Sequence, residues 1–132
     1  MNVLIPVRFP LTDRNKRALE RALSLIDDDP MALVTVLHLN SHPDDERVTR
    51  RDLRTVVERE YGDVRADYIT RDGFLIEEAV LEEASREEIT HVVISEARRR
   101  KWVDSLLELL DVSVDIESYL RANLDIELVV VP

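Results

Sequence analysis

Five short apolar, β-branched runs recur along the chain at intervals of roughly 30 residues, with amphipathic helical patterns between them. The runs are Val3–Val7, Ala32–Leu39, Val64–Thr70, His91–Ser95 and Ile126–Val131. Strands separated by single helices pair in parallel through right-handed crossovers, which places helices on both faces of one sheet. The expected architecture is α/β: a single-domain, flavodoxin-like three-layer sandwich around a five-stranded parallel sheet, occupying residues 1–132 as one unit.

The elements are read as follows. Pro6 cannot donate to a sheet ladder and so argues against a central position for the first strand. Thr12 or Asp13 caps a first helix whose Ala18, Leu19, Ala22, Leu23 and Ile26 share one face, and Asp27-Asp28-Asp29-Pro30 stops it. Asp44 to Tyr61 reads as a thinly apolar helix ended by Gly62. The alternation of Val64, Ala66, Tyr68 and Thr70 with polar neighbours marks an edge strand. Gly73 opens a helix with Ile76, Ala79, Val80 and Ala84 inward and Glu77, Glu78, Glu82 and Glu83 mostly outward. Val103 to Leu110 reads as a short helical turn or two, and a last helix near Val114 to Ala122 is capped by Asp111 or Ser113.

Charge excludes several function classes. The chain has 28 acidic against 18 basic residues and a formal charge of -10, which opposes broad contact with nucleic acid or anionic lipid. Only Lys16 and Lys101 are lysines, and an acidic, lysine-poor surface fits a protein kept soluble in a salty cytosol. Cysteine is absent, so disulfides, thiol nucleophiles and thiolate-held metals are excluded. No apolar run reaches membrane-spanning length and the start lacks a signal-peptide pattern, so the expected compartment is the cytoplasm.

In an open α/β sheet, ligands bind where strand carboxyl ends meet the following helices. That directs attention to His91–Ser113, where Ser95 leads into a basic loop of Arg98, Arg99, Arg100 and Lys101 followed by Trp102. The cations can grip a phosphate while Trp102 stacks on a base. A solvated loop paired with nearby carboxylates is the preferred reading, because surface charge runs seldom hold a ligand. Arg8, at the exit of the first strand, either joins an anion site or pairs with an acid such as Asp13. His38 and His42 are poorly spaced for a metal, and His91 is read as hydrogen-bonded at a strand start.

Several stretches together resemble the universal stress protein family: VLIPV at the start, RDGFLIEEAV around Gly73, HVVIS, and the closing IESYLRANLDIELVVVP. The likeness runs through the whole chain in element order and implies the sheet order 3-2-1-4-5. It also accounts for Pro6, which many members carry at the end of their first strand. Nucleotide-binding members place an aspartate after the proline-valine pair and write the loop after strand four as G-x2-G-x9-G-[ST]. Here Arg8 follows Pro6-Val7, Glu96 and Arg99 take the first two glycine slots, and Ser113 and Val114 take the last pair. Side chains therefore stand where backbone would meet phosphate. ATP binding of the family type is not expected, and AMP is disfavoured with it.

The candidate ligand crevice comprises Val7, Arg8, Leu39, Ser95, Arg98, Arg99, Arg100, Ser113 and Val114, with no metal and no catalytic residue. Ser95 lacks the glycine-flanked elbow of a hydrolase nucleophile, and Arg8 stands where a receiver domain needs acids. In the order implied by the resemblance, Ile126, Leu128, Val129, Val130 and Val131 form an apolar edge that invites a second copy of the chain. The resulting expectation is a non-enzymatic, dimeric interaction or regulatory module with an unidentified protein partner. A sensor for a nucleotide or other phosphate-bearing ligand at the ends of strands one and four is the alternative.

Overall fold

The computed structural model describes residues 1–40, 47–73, 76–86, 88–100, 121 and 124–132, with the side chains of residues 77 and 86 left out. Its strands are β1 (Asn2–Pro6), β2 (Leu33–Asn40), β3 (Ala66–Asp72), β4 (His91–Ser95) and β5 (Glu127–Val131). Its helices are α1 (Asp13–Ile26), α2 (Arg50–Tyr61) and α3 (Ile76–Arg86). The five strands are all parallel in the order β3-β2-β1-β4-β5, so the sandwich and its strand order stand as expected.

Strand alternation sorts the core into two layers. On one face Val3, Ile5, Val34, Val36 and Val93 meet Ala18, Leu19, Ala22 and Ile26 of α1 and Leu53 and Val57 of α2. On the other, Leu4, Leu37, Val92, Ile94 and Leu128 meet Ala79, Val80 and Ala84 of α3. Burial at this density is what orders the chain, since each fully buried aliphatic side chain contributes about 2 kcal/mol against conformational entropy.

Pro6 does end a central strand, contrary to the sequence argument, and the ladder shows why it is tolerated. Thr90 N donates to Asn2 O at 2.9 Å, so alternate residues 2, 4 and 6 turn their backbone groups toward β4. The β1–β4 register stops at Leu4↔Val92, whereas β1–β2 pairing continues to Pro6↔Leu37. The missing N–H of Pro6 therefore falls where β1 and β4 have ceased to pair.

The helices owe their limits to caps. Thr12 caps α1 by accepting from Asn15 N, and at the far end Arg65 donates to the carbonyls of Ile26 and Asp29. Helix α2 begins at Arg50 rather than Asp44, because Thr49 and Asp52 form a reciprocal capping box there. Backbone bonding to Thr49 also holds the Asp52 carboxyl below its ordinary pKa. Just ahead, the Asn40 side chain bonds both Val48 N and Val48 O at 3.0 Å, so residues 47–49 are held in a non-helical path. Gly62 closes α2 at φ 78°, a conformation that glycine adopts without strain. Behind α2, burial and the carboxylates of Glu20 and Glu60 push the Tyr61 hydroxyl up to about 12, and it donates to Lys16 O.

Glu83 is a second correction, for it is buried rather than solvent-facing. Arg71 of β3 reaches over α3 to pair with both Glu82 and Glu83, the latter at 3.0 Å. The expected short turn at Val103–Leu110 and most of the last helix, with its caps Asp111 and Ser113, lie outside the described residues. Among the described residues, no helix is long and apolar enough to cross a membrane.

Removing Arg71 strands a buried carboxylate, so Arg71→Met should lower the unfolding free energy by about 3 kcal/mol in urea titration. Arg54→Met, which loses only the exposed (i, i+4) pair with Glu58, should change it by less than about 0.5 kcal/mol.

Candidate functional site

The sheet changes winding direction between β1 and β4, and the carboxyl ends of these strands flank the crevice where ligands bind in such folds. On its β1 side, Val7 continues the ladder by donating to Leu37 O at 2.8 Å. The chain then turns through Arg8 to Leu11 into α1, with a cis peptide bond between Phe9 and Pro10. Asn15, buried in the first turn of α1, organises this turn: its Oδ1 accepts from Arg8 N at 2.9 Å and from Thr12 N at 3.3 Å. Because both partners are backbone donors, the atom facing them is the amide oxygen.

His38 supports the same segment from β2. Its Nδ1 lies 3.2 Å from Val7 O, so Nδ1 carries the hydrogen and donates to that carbonyl. The Phe9 ring stands edge-on to His38, with centroids 6.5 Å apart. Leu39 packs in the α3-side layer, and a Cβ placed on Gly73 would meet its Cδ1 at 3.4 Å. The exposed Arg8 side chain makes no ion pair among the described residues, so the expected pairing with Asp13 is not formed there.

On the β4 side, the stretch after Ser95 is not a loop. Residues 96–100 are helical and follow β4 without a break. Ser95 explains this, since its Oγ accepts from Arg98 N at 3.2 Å, the bond by which a serine caps a helical start. Successive residues of a helix leave it about 100° apart, so Arg98, Arg99 and Arg100 start in different directions rather than from one loop. Arg99 lies 3.5 Å from Glu96, and Arg98 is half-buried with an interaction partner of its own. Lys101, Trp102, Ser113, Val114 and His42 lie outside the described residues. No cluster of three or more metal-ligating side chains occurs among the described residues.

Val7 and Arg8 thus stand at the exit of β1 and Ser95 to Arg99 at the exit of β4, while Leu39 packs from β2 into the opposite layer from Val7. Asn15, Asn40, Thr49 and Asp52 do structural work that sequence reasoning passed over. Asn15 was readable as the third residue after a Thr12 cap, and Thr49-x-x-Asp52 likewise marked the start of α2. Asn40 left no local signal, because its partner lies eight residues on.

Asn15→Ala leaves two backbone donors without their acceptor, and should lower the unfolding free energy by about 1–3 kcal/mol. Asn15→Asp keeps both acceptor contacts and should cost less than about 1 kcal/mol. Chemical denaturation monitored by circular dichroism measures both.

Neither a protein-family model nor any curated protein matches this sequence. Among solved structures, a universal stress protein in complex with cAMP superposes with a TM-score of 0.64 over 100% of this chain and 97% of that one, at 12% sequence identity. The likeness agrees with the element order and with the 3-2-1-4-5 sheet read from the ladder. This chain has the fold of a universal stress protein.

Proposed function

We propose that this chain is a divergent universal stress protein that works as a cytoplasmic, non-enzymatic, homodimeric interaction or regulatory module and does not bind ATP in the family's manner. One observation carries the loss of that site. Where the resemblance calls for glycines whose amides meet phosphate, Glu96 to Arg100 form a helical turn already capped by Ser95 at Arg98 N. A turn that has spent an amide on its own chain, and surrounds it with long side chains, is poorly suited to cradle a polyphosphate.

A second reading is favoured by the cAMP in the structural neighbour and by Arg8, whose side chain has no ion pair among the described residues. It makes the crevice a sensor for a nucleotide or other phosphate-bearing ligand through Arg8 and Arg98 to Lys101. Calorimetric titration with ATP, ADP, AMP and cAMP separates the two. The first reading expects dissociation constants weaker than about 1 mM for all four. Micromolar binding that vanishes in an Arg98→Ala/Arg99→Ala/Arg100→Ala variant establishes the second.

Support for the dimer comes from the outer strand. Glu127 N donates to Thr90 O, so Glu127, Val129 and Val131 turn their backbone groups toward β4 and Leu128 and Val130 turn theirs outward. Among the described residues nothing bonds those outward groups. Just past β5, the Pro132 carbonyl accepts from Arg17 Nε. Ile126 lies just before the strand and is buried on the α3 side. Light scattering should give twice the 15.3 kDa chain mass for the wild type and a single-chain mass for folded Val130→Lys. A monomeric wild type in high salt would overturn the dimer.

A further inference from the structure

The sheet has a second outer strand, β3, and its edge is built differently from that of β5. Val34 N donates to Arg65 O at 3.0 Å and Gly73 N donates to Asn40 O at 3.3 Å. Odd-numbered residues of this stretch therefore face β2, and Ala66, Tyr68 and Thr70 present their backbone groups to the outside. Such a row is a template for another strand unless something occupies it.

Two arginines from a single short segment reach β3, one to this row and one to the side chain at its end. Arg50 Nε donates to Tyr68 O at 2.8 Å, in the middle of the edge. Arg47 pairs with Asp72 at 2.9 Å, at its carboxyl end. The backbone that presents them is fixed independently of β3: Asn40 grips both polar groups of Val48, and the Thr49–Asp52 capping box sets the first turn of α2. A guanidinium held from such a frame occupies the carbonyl that an incoming strand needs.

We infer that Arg50, helped by Arg47, closes the β3 edge to other chains, so that strand pairing between molecules is confined to β5 and the partner admitted there is a second copy. A chain with two open edges adds copies at both ends and grows without limit. One open edge pairs with its symmetry mate and stops at two. The closing of β3 is independent of the proposed dimer; only the count of two rests on it.

The test is sedimentation velocity over a wide concentration range on wild type, Arg50→Ala and Arg50→Lys, each alone and combined with Val130→Lys. Arg50→Ala should form concentration-dependent species at least about twice the wild-type mass. It should also slow amide hydrogen exchange at Tyr68 and Thr70, by about tenfold or more, as concentration rises. Arg50→Lys retains a donor long enough to reach the carbonyl and should keep the wild-type mass. In the Val130→Lys background, Arg50→Ala should restore association through β3 even if the β5 dimer proves wrong. Folded Arg50→Ala with the wild-type mass at every concentration, in both backgrounds, would overturn the inference. Should Arg50→Ala fail to fold, Arg50→Gln carries the same expectations.

Discussion

The carboxyl end of the sheet is shaped by where the β1–β4 ladder stops. Pro6 has no N–H to offer β4 at the point where the register with that strand ends, while Val7 still bonds Leu37 on the β2 side. The central strand is thus tied on one side and released on the other. Where β1 and β4 part, the chain must satisfy its backbone by other means. Asn15 takes Arg8 N and Thr12 N, His38 takes Val7 O, and Ser95 takes Arg98 N. Each of these side chains satisfies a backbone group at a strand exit or a helix start.

The same accounting underlies the proposal for the crevice. Glycine-rich phosphate loops keep their amides unspent and free of side chains, so that an anion can complete them. This chain completes its own. Three polar side chains already serve backbone atoms around the strand exits, and the cations beyond Ser95 ride on a helical turn that spreads them apart. Those features favour a protein surface over a nucleotide cradle, and they leave Arg8 as the group least committed to the fold.

Much of the architecture was legible because it rests on period. A β-branched run of five or six residues can be buried on both faces only in a parallel strand, and five such runs with helices between them specify the sandwich. Pro6 misled because propensity describes a strand as a whole, whereas proline needs only one position without a partner. The start of α2 was misplaced because helical spacing extends back to Asp44, while Thr49, Asp52 and Asn40 act through caps that override it. Glu83 was read as solvent-facing because nothing near it in sequence announces Arg71. The basic run was read as a loop from its charge, although a serine three residues ahead of Arg98 is a helix-start signal.

The two edges give the crevice a wider setting. Arg47 and Arg50 tie the start of α2 to β3, which is the basis for the inferred closure of this side of the sheet. At the other side, the outward groups of Leu128 and Val130 have no bond among the described residues. Arginine serves the first purpose better than lysine would, since its Nε lies in a rigid fork and can bond a carbonyl edge-on while the remaining nitrogens stay in water. A surface with 16 arginines and two lysines therefore carries more than charge. Arg65 closes the end of α1, Arg71 ties α3 to β3, Arg50 occupies an edge carbonyl and Arg17 finishes β5. In each case a guanidinium reaches across elements, to a backbone carbonyl in three of them and to carboxylates in the case of Arg71. In a chain this acidic, such bonds hold the outer layers to the sheet without adding apolar surface.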